Sequence, residues 1–155
     1  MLKLVNARSE KDILDVKELF QEYADSLDFS LYFQDFEEEL VGLLADYAPP
    51  GGTIVLAVFT GENAGCVALR RIDEKTCEMK RLYVRPQYRR KGIGRRLAEA
   101  VIEYARRVGY MSMRLDTISS MKQANSLYRS LGFREIEPYR YNPLESAIYM
   151  ELKLK

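Results

Sequence analysis

A chain of 155 residues, 47% hydrophobic and 30% charged, is long enough to bury most of its apolar surface, and a single domain over residues 1–155 is expected. With 24 basic against 23 acidic residues and a net charge of +1, it lacks the overall basicity of a general nucleic-acid binder. Histidine is absent, which removes the commonest general base and the usual zinc ligand together and excludes Ser-His-Asp and Cys-His hydrolases and H-E-x-x-H metalloproteases.

Proton chemistry therefore falls to carboxylate, tyrosine, lysine, cysteine or water. Cys66 and Cys77 have neither a C-x-x-C spacing nor partners for a structural metal, so they read as reduced core thiols and no metal is expected. The longest apolar run is "IVLAVF" (54–59), far short of a membrane span, and no signal-type segment opens the chain. The expectation is a soluble cytoplasmic protein with no membrane or nucleic-acid partner.

In chain order, "LKLV" (2–5) reads as a short strand, and Ser9 is placed to cap a helix with the apolar stripe Ile13, Val16, Leu19, Phe20 and Tyr23. A second helical stretch, "FQDFEEELVGLL" (33–44), carries the acidic run Asp35, Glu37, Glu38 and Glu39, read as a solvated face, and "APPGG" (48–52) stops it. The period then becomes that of strands. "TIVLAVF" (53–59), "AGCVALRRI" (64–72) and "TCEMKRLYV" (76–84), joined by "TGEN" and "DEK", predict a three-strand antiparallel meander. Next come Pro86, a basic glycine loop, and a helix with Leu97, Val101, Ala105 and Val108 at helical spacing, ended by Gly109. "MSMRLDT" (111–117) predicts a strand, "SMKQANSLYRSLG" (120–132) a helix, and "AIYMELKL" (147–154) a last strand. This order specifies an α/β (α+β) fold, with a mixed, mainly antiparallel central sheet flanked by helices on both faces.

The loop "YRRKGIGRR" (88–96) sets five positive charges and two glycines between a strand and a helix start. Unpaired N–H groups and the positive end of the helix dipole converge there, an arrangement suited to a phosphate or pyrophosphate. A Rossmann fingerprint would need glycine where Leu97 stands, and a P-loop would need a following GK[ST]. From the residues alone, a solvated basic helix start with Arg95–Glu99 and Glu103–Arg107 pairs is an equal alternative.

The chain resembles the GNAT superfamily of N-acetyltransferases over nearly its whole length. Arg89-Arg90-Lys91-Gly92-Ile93-Gly94 is similar to the family's pyrophosphate loop, Q/R-x-x-G-x-G/A. "EMKRLYVRPQYRRKGIG" looks like its fourth strand and following turn, and "LYRSLGF" (127–133) like its tyrosine helix and exit. The resemblance implies acetyl-coenzyme A as cosubstrate, with its diphosphate on the amides of residues 90–95 and its pantetheine arm along Leu82, Tyr83 and Val84. The cofactor residues it implies are these three with Arg89, Arg90, Lys91, Gly92, Ile93, Gly94 and Arg95. The Val84 N–H is the expected oxyanion donor.

For catalysis, the resemblance implies Glu78 as the base that takes the amine proton, and strand alternation predicts that Glu78 and Leu82 share a face. The equal alternative is a surface carboxylate paired with Lys80 or Arg70, and a raised pKa would favour the base. Tyr128 matches the tyrosine that protonates the leaving thiolate; otherwise it is a core aromatic beside Ala124, Leu127 and Leu131. Met121 stands where many relatives carry an asparagine, so that contact is not expected here.

The resemblance implies acceptor-site walls from the first two helices and the late strand connection, here residues 23–36 and 137–145, which offer Tyr32, Gln34, Tyr139, Arg140, Tyr141 and Asn142. The same aromatics would equally suit a homodimer interface. The expected function is acetyl transfer to a primary amine of a small molecule or peptide by direct attack in a ternary complex. The alternative is a coenzyme A binding or sensor module without turnover.

Overall fold

The computed structural model describes residues 1–27 and 36–155. The elements are β1 (Leu2–Asn6), α1 (Glu10–Ser26), α2 (Phe36–Val41), α3 (Leu43–Asp46), β2 (Thr53–Phe59), β3 (Glu62–Arg71), β4 (Thr76–Val84), α4 (Ile93–Val108), β5 (Ser112–Ile118), α5 (Lys122–Ser130), β6 (Arg134–Ile136) and β7 (Ala147–Lys153). A single 3-10 turn over Pro86–Tyr88 leads into α4. Among the described residues the strands form one sheet in the order β1-β2-β3-β4-β5-β7-β6, antiparallel throughout except for the β4–β5 pair. The fold is the mixed, mainly antiparallel α/β sheet that the sequence specifies.

Strand alternation divides the apolar side chains between two cores. Val55, Ala57, Val67, Leu69 and Met79 face α4, which buries Ile93, Leu97, Val101 and Ile102 against them, and the same core takes Tyr128 and Phe133 at the α5 end. Ile54, Leu56, Cys66 and Ala68 face the other way, onto Val16, Leu19 and Phe20 of α1 and Leu43 of α3. Ser9 caps α1 as expected: its Oγ accepts from the Asp12 N–H at 3.0 Å, while Asp12 accepts from the Ser9 N–H at 3.3 Å.

Glu39, expected on a solvated helix face, is instead buried and holds Arg81. Four further details differ from the sequence expectation. The helix expected over 33–44 is two short helices broken at Gly42, where a glycine costs about 1 kcal/mol relative to alanine, and residues 33–35 lie outside the described residues. Val108 is 40% exposed at the end of α4, where Tyr110 closes the core instead. The edge strand β6 is too short to show a period.

The fourth detail bears on function. Ala68 stands opposite Lys80 while Cys66 stands opposite Tyr83, so two residue steps on β3 span three on β4. This is a β-bulge, with Arg81 at φ 58°. It reverses the alternation of β4: Glu78, Lys80 and Tyr83 share the α1 face, whereas Leu82 and Val84 pack toward α4. The expectation that Glu78 and Leu82 share a face is thereby overturned.

The β4–β5 ladder covers only Thr76–Ser112, Cys77–Met113 and Glu78–Arg114. Beyond Glu78 the two strands part and leave a wedge. On the other side of β4, Gly65 of β3 lies so close that an added Cβ would strike the Tyr83 carbonyl and sit 3.2 Å from the Val84 Cα. Gly65→Ala should therefore push β3 off the cleft-lining end of β4 and cost about 1–3 kcal/mol. Urea unfolding of the variant is the measurement, and an unchanged midpoint would refute the close approach.

Candidate active site

Two connected cavities occupy the wedge. The outer, about 520 Å³, runs over the start of α4 and is lined by Leu82, Tyr83 and Val84, by Arg89, Arg90, Gly92, Ile93 and Gly94, and by Met121 and Leu127 of the opposite wall. The inner, about 50 Å³, is lined by Tyr23, Lys80, Arg81, Asp116, Tyr128 and Asn142, and shares Tyr23, Leu82 and Met121 with the outer one.

The loop entering α4 turns through left-handed conformations at Arg90 (φ 66°) and at Gly92 (φ 77°), which directs the first N–H groups of the helix outward. A Cβ at Gly92 would meet nothing within 4 Å, and one at Gly94 would meet only Val84 and Leu127 side chains, each at 3.8 Å. The backbone there is open to a bulky anion. Arg89 Nε donates to the Val84 carbonyl at 2.9 Å, tying the loop to the end of β4. Lys91 and Arg95 turn aside: Lys91 Nζ lies 5.4 Å from the centre of the Phe59 ring, and Arg95 bonds Ser130 Oγ and pairs with Glu99. Of the expected cofactor residues, these two alone line neither described cavity, because their side chains leave the loop on its outer side.

Glu78 is fully buried. Its carboxylate accepts from Arg70 Nε at 2.9 Å, from the Tyr139 hydroxyl at 2.7 Å and from Arg140, with Lys80 Nζ at 4.0 Å. Burial alone would raise its pKa, but Lys80, Arg140 and Arg70 outweigh that and hold it down at about 2. Tyr128 packs edge-to-face on Phe133 at 5.8 Å and presents to the inner cavity. Burial, with Tyr23 and Asp116 adding to it, pushes the Tyr128 phenol upward, so it keeps its proton.

A family model described as the Acetyltransferase (GNAT) family matches residues 13–133. The chain belongs to that family. An uncharacterized N-acetyltransferase of Schizosaccharomyces pombe is 40% identical over 146 residues, 93% of this chain and 90% of the relative. A GNAT-family acetyltransferase from Staphylococcus aureus has a similar fold, with TM-score 0.81 at 23% identity and full coverage of both chains. So does the PaiA N-acetyltransferase of Thermoplasma acidophilum solved with coenzyme A, with TM-score 0.76 at 19% identity over 99% of each chain. The protein is thus an acetyl-coenzyme A dependent acetyltransferase.

Within this acetyltransferase, the structure corrects several site expectations. Glu78 is buried and not on the surface, its pKa is lowered and not raised, and it lines neither described cavity, while its expected alternative pairing with Arg70 and Lys80 is present. Tyr139 and Arg140 serve that carboxylate and, with Arg70 and Arg71, line a separate surface cleft instead of the inner cavity. Tyr141 is 81% exposed and lines no described cavity, whereas Asn142 does reach the inner one. Tyr32 and Gln34 lie outside the described residues. Cys66 and Cys77 are buried thiols whose pKa burial raises, Cys77 to about 12, so neither is poised as a nucleophile. Among the described residues no helix is long and apolar enough to cross a membrane.

The residues on the inner cavity that reasoning from sequence missed are Lys80 and Asp116, whereas Tyr23 opens the 23–36 stretch expected as a wall. An available signal was the placing of charge inside strand segments: "EMKRLYV" and "MRLDT" each set ionic side chains among apolar ones.

The Glu78 network makes a pH prediction. A carboxylate whose folded pKa lies below its usual 4.5 stabilises fully above that pH and loses its contribution as pH falls toward about 2. Glu78→Gln leaves the cations uncompensated and should lower stability by about 3 kcal/mol at neutral pH. It should also flatten the acid-induced loss between pH 4.5 and 2. Denaturant unfolding across that range decides the point, and parallel profiles for both proteins would contradict the network.

Proposed function

We propose that the protein transfers the acetyl group of acetyl-coenzyme A to a primary amine of a small molecule or peptide by direct attack in a ternary complex. The observation that carries this reading is the continuity of one cleft. It has open backbone N–H groups at the start of α4 and, where β4 leaves β5, a small charged cavity containing Tyr128. The donor residues fit the cosubstrate: the diphosphate would lie on the amides around Gly92 and Gly94, and the pantetheine would run past Leu82 and Val84. The buried, unactivated thiols support direct transfer over an acetyl-cysteine intermediate.

In the reaction, the free amine attacks the thioester carbonyl, a C–N bond forms, the C–S bond breaks, and the thiolate takes a proton. Tyr128 holds that proton on the cavity side of the core. The acceptor amine must itself lose a proton, and we assign that role to Asp116, the carboxylate that lines the inner cavity.

Two measurements test this reading. Gly94→Val places a branched side chain between Val84 and Leu127, across the cosubstrate path. Losing two charge-assisted hydrogen bonds there should weaken coenzyme A binding on the order of 100-fold by calorimetry in a folded variant, and unchanged affinity would remove the loop from the site. Tyr128→Phe should reduce turnover about 100-fold with coenzyme A affinity retained. A purely structural tyrosine would give a lowered melting temperature with near-normal turnover.

A further inference from the structure

Lys80 has no part in the chemistry above, yet it is the most exceptional cation in the molecule. Its side chain is 3% exposed, it lines the inner cavity, and it hydrogen-bonds no described residue. Its nearest carboxylate, Glu78, stands 4.0 Å away and is already occupied by Arg70, Arg140 and Tyr139. The other basic residue on the cavity, Arg81, is held two-pronged by Glu39 at 2.8 and 3.1 Å. Burying an ammonium without acceptors is costly, and the missing acceptor can come from a ligand. Asn142 supplies a second donor. Its side-chain oxygen accepts from the Leu144 N–H at 2.9 Å, which leaves its amide NH₂ for the cavity.

We propose that the acceptor is a small amine that also carries a carboxylate, such as a free amino acid, with its anion received by Lys80 and Asn142. The proposal rests on the acetyltransferase reading and names the substrate class of that site. The inner cavity, about 50 Å³, admits a carboxylate on a short stem and leaves the amino group toward the point where the strands part. The opposite wall supplies Asp116, whose charge suits the ammonium end of a zwitterion. A polyamine would instead bring a second cation against Lys80 and Arg81.

The charged and titratable groups around Lys80 are Glu78 and Arg81 on its own strand, Arg70 on β3, Glu39 on α2, Asp116 on β5, Tyr23 on α1 and Tyr128 on α5. Burial first, then Arg81, lowers the Lys80 pKa to about 8, so the side chain is mainly cationic at neutral pH, and a bound carboxylate would hold it so.

The test compares glycine, β-alanine, aspartate and glutamate, each with its amide, as acceptors in a thiol-release assay. In the wild-type enzyme the best acid should exceed its amide by about 10-fold or more in kcat/KM, expressed in KM. Lys80→Met should bring that ratio near one, Lys80→Arg should keep part of it, and calorimetric affinity for acetyl-coenzyme A should be the same in all three. Equal use of acid and amide by the wild type, or a preference that survives in Lys80→Met, overturns the proposal. If no acceptor turns over, the same acids are titrated into the coenzyme A complex. Binding abolished by Lys80→Met then upholds the anion site and counts against the transfer reading alone, whereas absence of binding overturns the anion site.

Discussion

The parallel ladder between β4 and β5 ends at Glu78 and Arg114, and the bulge at Arg81 bends β4 away from its neighbour just beyond. A parallel pair that continued along β4 would close the sheet and leave no cavity. By parting, the strands expose the edge of β4 over Leu82 to Val84, and α5 closes the far side with Met121, Tyr128 and Leu127. The bulge also decides which side chains reach the opening. With Leu82 and Val84 turned to α4 and Lys80 to α1, the cleft receives an apolar outer wall and a charged inner one.

The charged wall is maintained by compensation. Glu78 draws in Arg70 from β3 and Tyr139 and Arg140 from the β6–β7 connection, and Glu39 of α2 holds Arg81. These are exchanges of solvation for directed hydrogen bonds, so their net contribution is modest while their rupture is expensive. Their structural consequence is positional: one carboxylate fixes three elements around a single point. Tyr139 also has Arg114 at 5.3 Å and Arg140 at 5.1 Å from its ring centre and packs edge-to-face on Tyr149 of β7 at 5.2 Å, which fastens the connection to β5 and β7. Glu78 is in this sense an anchor of the structure around the inner end of the cleft.

Most of the architecture was legible because it rests on periodicity. The meander, the long helix before Gly109, the Ser9 cap and the glycine loop each follow from local sequence, and the structure has them at nearly the expected residues. What escaped depends on long-range register. No glycine marks the bulge, since arginine itself takes φ 58° there, and its one local sign is the charged doublet Lys80-Arg81, where the alternation of "EMKRLYV" breaks. Every inference that counted residues across Arg81, including the shared face of Glu78 and Leu82, failed for that reason. The directions of Lys91, Arg95 and Tyr141 escaped for another: exposed side chains on loops and first helical turns are placed by neighbours distant in sequence, such as Phe59 for Lys91 and Ser130 for Arg95.

The two ends of the cleft use different physics. The cosubstrate end depends on backbone N–H groups, on glycine and on a helix dipole, features that tolerate change in the surrounding side chains. The inner end depends on individual side chains from α1, β4, β5 and the β6–β7 connection: Tyr23, Lys80, Asp116 and Asn142. None of those four positions belongs to the β4–β5 ladder or to the α4 cap, although Lys80 and Asp116 pair with Ala68 and Tyr149 in neighbouring ladders. The inner side chains are therefore set apart in the fold from the loop at the start of α4. On that inner wall Lys80 hydrogen-bonds no described residue and has Glu78 4.0 Å away, so its burial is tolerated by a scaffold stabilised elsewhere.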